Sequence, residues 1–133
     1  MKTSELTGAA LDWAVAKCEN VEPDENNKPI WFGDGDERVE YTPSSEWWLG
    51  GPIIEREHIA LRPTITEGGY RTSKSVDAVH AKIELPNGAK VFDYEKSVWE
   101  YGPTPLIAAM RCYVASKLGH DVEVPEELCP PTA

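Results

Sequence analysis

The sequence is short of positive charge. Of its 133 residues, 13 are Lys or Arg against 23 Asp or Glu, a formal net charge of −10. So small a body at −10 repels phosphate at long range, which excludes general coating of DNA and argues against docking on an anionic membrane surface. Long apolar runs are missing too. No stretch reaches the ~18 apolar residues of a membrane span. The opening Met1-Lys2-Thr3-Ser4-Glu5 has no apolar run of signal-peptide kind. Cysteine is scarce. Cys18, Cys112 and Cys129 are odd in number and widely spaced, with no C-x-x-C and no zinc pattern. Reduced cytosolic thiols are expected, and Cys18 and Cys112 read as small core residues within helical patterns. His58, His80 and His120 are far apart and form no H-E-x-x-H. There is no G-x-S-x-G, no P-loop and no G-x-G-x-x-G. The motifs therefore predict no cofactor, no metal and no catalytic constellation.

What is present fits one domain, because domains cluster near ~100–150 residues. The spacing of Leu11, Ala14, Val15 and Cys18 predicts a helix over about 7–18, with Thr7 as its N-cap. A second helix is predicted over about 104–118. Thr104 is its cap, Pro105 sits at the first position, and Gly119 follows the last turn. Leu106, Ile107, Met110, Val114 and Leu118 supply its apolar stripe.

Between the helices the period changes to two. Val79, Ala81, Ile83 and Leu85 alternate with polar residues, Pro86-Asn87-Gly88 is a turn signal, and residues 89–92 can pair back. Residues 97–101 read as a strand stopped by Gly102-Pro103. Residues 52–54, 58–62 and 38–41 read as further short strands, whereas 20–37 and 66–75 read as loops. The expected fold is α+β: two helices packed on an antiparallel sheet of four to five short strands. Residues 1–133 form a single domain in this reading, with an acidic loop-like segment at 19–46 and a frayed tail at 126–133.

The negative charge is concentrated. Segment 19–46 holds nine acids against Lys28 and Arg38, a net of −7, and the four acids after residue 120 face no base. Segment 47–120 is at +1 and holds nine of the 13 bases. Net charge thus excludes a DNA coat but leaves room for a small anion held locally.

The segment from Ser44 to Arg56 is the most unusual. Trp47 and Trp48 point to opposite faces if extended, which exposes at least one of them. Gly50-Gly51-Pro52 either lets backbone amides approach a ligand or makes a tight turn. Arg56, Arg62, Arg71 and Lys74 are the nearby bases. An aromatic plane, glycine amides and arginines together suit a nucleotide-like anion. The candidate ligand-binding residues are Trp47, Trp48, Gly50, Gly51, Arg56 and Arg111. In Glu55-Arg56-Glu57-His58, a strand would put the two acids on one face and Arg56 with His58 on the other, the pattern of cross-strand charge pairing. Asp34-Gly35-Asp36-Glu37 is rich in oxygen but lacks the spacing of a calcium loop.

Three blocks resemble a known family. Residues 2–18 carry Glu5-Leu6-Thr7-Gly8-Ala9-Ala10-Leu11-Asp12-Trp13. Residues 48–56 read Trp48-Leu49-Gly50-Gly51-Pro52-Ile53-Ile54-Glu55-Arg56. Residues 101–119 open on Tyr101-Gly102-Pro103-Thr104-Pro105-Leu106 and are followed by Val122-Glu123-Val124-Pro125. They are similar to the NinX-like proteins of tailed bacteriophages and prophages, a family without an assigned reaction. The resemblance implies a phage accessory protein in the host bacterial cytoplasm and brings no active site.

Three functions follow as expectations. The first is a non-enzymatic protein that binds a small anionic ligand during infection. The second is an acidic module that mimics nucleic acid and inhibits a host protein through segment 19–46. The third is a small hydrolase, which needs Glu55 or Glu57 and a histidine to meet in one cleft. A homodimer is the commonest assembly for such a chain, and nothing in the sequence specifies one.

Overall fold

A computed structural model describes residues 1–21, 31–32, 39–64, 68–75, 82–84, 86–87, 90–92 and 97–128. The described residues hold three α-helices: α1 (Gly8–Glu19), α2 (Trp47–Glu57) and α3 (Pro105–Leu118). Three strands, β3 (Ala60–Pro63), β4 (Tyr70–Ser75) and β7 (Ser97–Gly102), form an antiparallel sheet in the order β3-β4-β7. Two further antiparallel pairs stand apart from it. They are β1 (Trp31–Phe32) with β2 (Val39–Glu40), and β5 (Lys82–Glu84) with β6 (Lys90–Phe92). The fold class is α+β as expected, with one helix more than the sequence reading gave and a main sheet of three strands. No helix among the described residues is long and apolar enough to cross a membrane.

Helix α3 is the middle layer. One side lies on β4 and β7, and α1 and α2 pack against the rest of it. That position explains its composition. Leu106, Ala108, Ala109, Met110, Cys112, Tyr113, Val114 and Ala115 are all buried, so the helix is apolar nearly all round, as a sandwiched helix must be. Its small residues let the neighbours approach. The Thr104 side chain accepts from the Ile107 amide (3.1 Å), and Gly119 takes φ +89° after the last turn, as the sequence indicates. Leu118, assigned to the apolar stripe, is instead exposed at the helix end. Helix α1 presents Leu11, Ala14 and Val15 to the core and ends on Asn20 in the left-handed region (φ +57°). Its Thr7 makes no side-chain cap bond.

Two elements correct the sequence reading. Residues 52–54 were expected as a strand after a Gly-Gly-Pro turn, but α2 runs straight through all three residues. Leu49 and Ile53, four residues apart, face the core, and their burial outweighs the cost of Pro52, which cannot donate to the Trp48 carbonyl. Gly50 is required by packing. A Cβ there would come within 2.5 Å of the Pro43 carbonyl oxygen and 2.7 Å of Leu106 Cδ2. His58 ends the helix at φ +53°, so Glu55-Arg56-Glu57 project from a helix and not alternately from a strand.

Residues 70–75, expected as loop, are the central strand β4. The reading failed because the strand's buried face is polar. Thr72 is buried and its hydroxyl donates to the Ala108 carbonyl (2.9 Å), and Lys74 is only 3% exposed. Trp31–Phe32 likewise falls within a stretch expected to be loop. Strands appear at 39–40, 60–63, 82–84, 90–92 and 97–102, within or close to the segments that the alternation marks. The Asp34–Glu37 cluster, His80, Cys129 and most of segment 19–46 lie outside the described residues.

Candidate functional site

Five of the six candidate residues share α2. Trp47 and Trp48 in its first turn are 53% and 57% exposed. Gly50 is buried against Pro43 and Leu106, so its amide belongs to the helix and its α-carbon to the packing. Gly51 lies beside the Trp47 ring, with room for a methyl group. Arg111 stands on α3 and is held elsewhere. Its Nε donates to the Leu6 carbonyl (2.7 Å) and its Nη1 to the Tyr101 carbonyl (2.9 Å), which ties the N-terminal segment to β7.

Arg56 is engaged by acids. Its Nη1 and Nη2 donate to the two carboxylate oxygens of Glu19 (2.9 and 2.7 Å), and its Nε to Glu57 (3.0 Å). The Tyr113 hydroxyl donates to Glu19 (2.6 Å), with the Arg56 guanidinium over its ring at 5.8 Å. A bidentate arginine–carboxylate pair is the strongest form of such a contact. It links the end of α1 to α2 and α3. Glu57 also faces the ammonium groups of Lys74 (3.6 Å) and Lys117 (3.8 Å). Burial pushes the Glu57 carboxyl up. The Arg56 hydrogen bond and the two lysine charges outweigh that and hold it below the ordinary carboxylate value. Such a carboxylate is a poor general base, because a base is most effective near the working pH. One acid–histidine contact among the described residues is Glu100 with His120 Nδ1 (3.6 Å). Among the described residues, no group of three His, Cys, Asp or Glu could hold a metal.

A different arrangement lies on the main sheet. Opposed residues of an antiparallel ladder share a face. The register pairs Leu61 with Thr72 and Thr72 with Glu100, and Thr72 in this row faces α3. The next rows project to the other side. One is Ala60–Ser73–Trp99, and its neighbour is Arg62–Arg71–Tyr101. These rows surround a cavity of about 280 Å³ lined by Ala60, Leu61, Arg62, Arg71, Ser73 and Trp99. Its size is near the lower end of small-molecule sites.

The Arg71 guanidinium stacks on the Trp99 indole, 4.2 Å from the ring centroid. Its Nε is buried and has no hydrogen-bond partner among the described residues. Among the described residues, neither Arg62 nor Arg71 forms an ion pair with a carboxylate. Two like charges set directly opposite on neighbouring strands are destabilising.

Arg62 and Arg71 were among the bases noted near the tryptophans, but Trp99 and Tyr101 were read only as strand residues. The available signal was parity. Arg71 and Lys74 are three apart and so face opposite sides of β4, whereas Trp99 and Tyr101 are two apart and face the same side. Which rows those residues join depends on register across loops, and no local pattern gives that.

Compared with known protein families, residues 2–117 match the family described as Bacteriophage P22, NinX. Comparison with curated proteins gives no match.

Proposed function

The chain belongs to the bacteriophage P22 NinX family, and from that premise we propose a phage accessory protein that acts by binding in the host cytoplasm. Its ligand is a small, nucleotide-like anion, and its site is the sheet-face cavity between Arg62, Arg71 and Trp99. The observation that carries this reading is the Arg62–Arg71 pair, which has no carboxylate partner among the described residues and lines a cavity beside a tryptophan. Arginine forks match phosphate and carboxylate oxygens in pairs, and a stacked guanidinium offers a flat surface to a ring. The near-neutral charge of segment 47–120 removes the local objection that the net −10 raises.

Calorimetry with adenosine monophosphate tests the reading. Arg71→Ala and Arg62→Ala are each expected to weaken binding at least about tenfold, in line with loss of a charged hydrogen bond. Absence of binding at millimolar ligand would end it. A loss in Trp48→Ala with none in Arg71→Ala would move the site back to the α2 residues Trp47, Trp48, Gly51 and Arg56.

A second reading rests on one observation, the exposure of Trp47 and Trp48 side by side. Tryptophan is enriched among residues that dominate protein interfaces. In that reading α2 docks on a host protein that the acidic segment 19–46 helps to attract. Affinity capture from infected cells with wild type and a Trp47→Ala/Trp48→Ala variant tests it. Recovery of the same partner by both proteins would exclude α2 as the docking surface.

A further inference from the structure

The aromatic positions of the sheet face carry the ligand's identity further, on the premise that the face binds a small anion. Trp99 and Tyr101 are two residues apart on β7 and project to the same side. Two steps of an antiparallel strand span about 6.8 Å. That is about twice the 3.4 Å rise of stacked bases in a duplex strand. The spacing therefore suits two successive bases drawn apart, each laid on its own flat surface, as in recognition of unstacked nucleic acid.

The two surfaces differ. At Trp99 the indole is already covered by the Arg71 guanidinium, so the upper layer available to a base is the guanidinium plane itself. At Tyr101 the side chain is 50% exposed. Arg71 is the direct neighbour of Tyr101 in the ladder, and Arg62 follows on the same row. The cations thus stand beside the line that joins the two stacking positions. Ser73, opposite Trp99, and Ala60, opposite Ser73, are small and leave the space of the cavity.

We infer that the ligand is a pair of nucleobases joined through phosphate, with one base on the Arg71–Trp99 stack, the other on Tyr101, and the phosphate at Arg71 and Arg62. Duplex DNA does not fit this reading, because its bases stay stacked. A longer tract is also not needed, since two arginines neutralise only one or two phosphates. The unit can come from a free dinucleotide or from a single strand.

Calorimetry at low, fixed salt compares four ligands: adenosine monophosphate, adenosine 3′,5′-bisphosphate, the dinucleotide pApA and a deca-adenylate. The bisphosphate matches the two phosphates of pApA but has one base. Base–aromatic stacking predicts that pApA binds roughly 5- to 150-fold tighter than the bisphosphate. Tyr101→Ala is expected to remove that advantage, and Tyr101→Phe is expected to restore it. A pApA affinity equal to that of the bisphosphate overturns the two-base inference while the small-anion reading stands. No binding of any of the four overturns both. If two bases are bound, a decamer tighter than pApA by no more than the roughly ninefold statistical gain of its nine dinucleotide steps assigns a free dinucleotide. A larger gain, with an affinity that falls at a log–log slope near −0.7 per phosphate when the decamer titration is repeated over a salt series, assigns a single strand.

Discussion

Arg62 and Arg71 stand directly opposite each other across the β3–β4 ladder, and among the described residues no carboxylate is paired with either. A like-charge pair in this position opposes folding. It is the kind of local conflict that a sequence carries at a functional position. Arg62→Glu turns the repulsion into an attraction. It is expected to raise stability by about 0.2–1 kcal/mol and to abolish binding of nucleotide anions. Urea denaturation and calorimetry on one preparation check both halves. A variant that loses stability would mean that the arginines are held apart by more than their ladder position suggests.

Adjacent glycines in α2 make opposite predictions. A methyl group at Gly50 meets a backbone oxygen at 2.5 Å and Leu106 Cδ2 at 2.7 Å, and the carbonyl cannot swing aside as a side-chain end can. Gly50→Ala is expected to cost about 1–3 kcal/mol despite alanine's better helix propensity. At Gly51 the methyl would meet only the Trp47 ring, at 3.8 Å. Gly51→Ala is expected to gain about 0.5–1 kcal/mol. Thermal and urea unfolding of the two variants separate the packing role from the helix penalty. If both variants were stabilised, α2 would have to pack less closely on Pro43 and α3 than it does.

The same two glycines show why α2 was hidden in the sequence. Gly-Gly-Pro carries turn signals, and what makes it a helix interior is the burial of Leu49 and Ile53 together with the fit of Gly50 against Leu106, 56 residues away. By contrast α3 was legible in full at its ends. Thr104, Pro105 and Gly119 are local signals, and each takes the role that its chemistry favours. The central strand β4 was unreadable for a third reason. Alternation predicts strands when the inner face is apolar, but Thr72 and Lys74 fill that face here and are satisfied by Ala108 and Glu57. The sheet-face site followed β4 into obscurity, since Arg71 has no defined neighbours until β4 exists.

Arg56 is predicted to matter more for stability than Trp48, although both lie in the segment that first suggested a ligand. Arg56→Ala breaks the paired bonds to Glu19 and leaves that acid beside Tyr113. Partial exposure limits the loss to about 1 kcal/mol. Trp48→Ala removes an exposed ring and is expected to stay within about 0.5 kcal/mol. A double-mutant cycle of Arg56→Ala with Tyr113→Phe should give a coupling of about 0.5 kcal/mol or more, because the three side chains form one network. Strict additivity would show that the Glu19–Arg56 pair acts alone.

Asp12 makes a contribution to the pH dependence whose direction follows from its burial. Its side chain is buried in α1 and accepts from the Ser44 amide at 2.9 Å. Burial pushes the carboxyl up from about 3.8 to about 6, the Ser44 bonds pull it down, and the Glu40 charge adds to the rise. An acid whose value is raised by folding binds its proton more tightly when folded. Its contribution to stability is therefore full below about 3.8 and is lost as pH rises through about 6. Asp12→Asn keeps the oxygen that accepts from Ser44 and removes the charge. Relative to wild type, the variant is expected to gain about 1–2 kcal/mol at pH 7.5 and much less at pH 4.5. Other carboxylates titrate over the same range, but they do so in both proteins and cancel in the difference. Urea midpoints at the two pH values read that difference. An equal gap at both would mean that Asp12 is ionised in the fold throughout, with its charge fully met by the Ser44 amide.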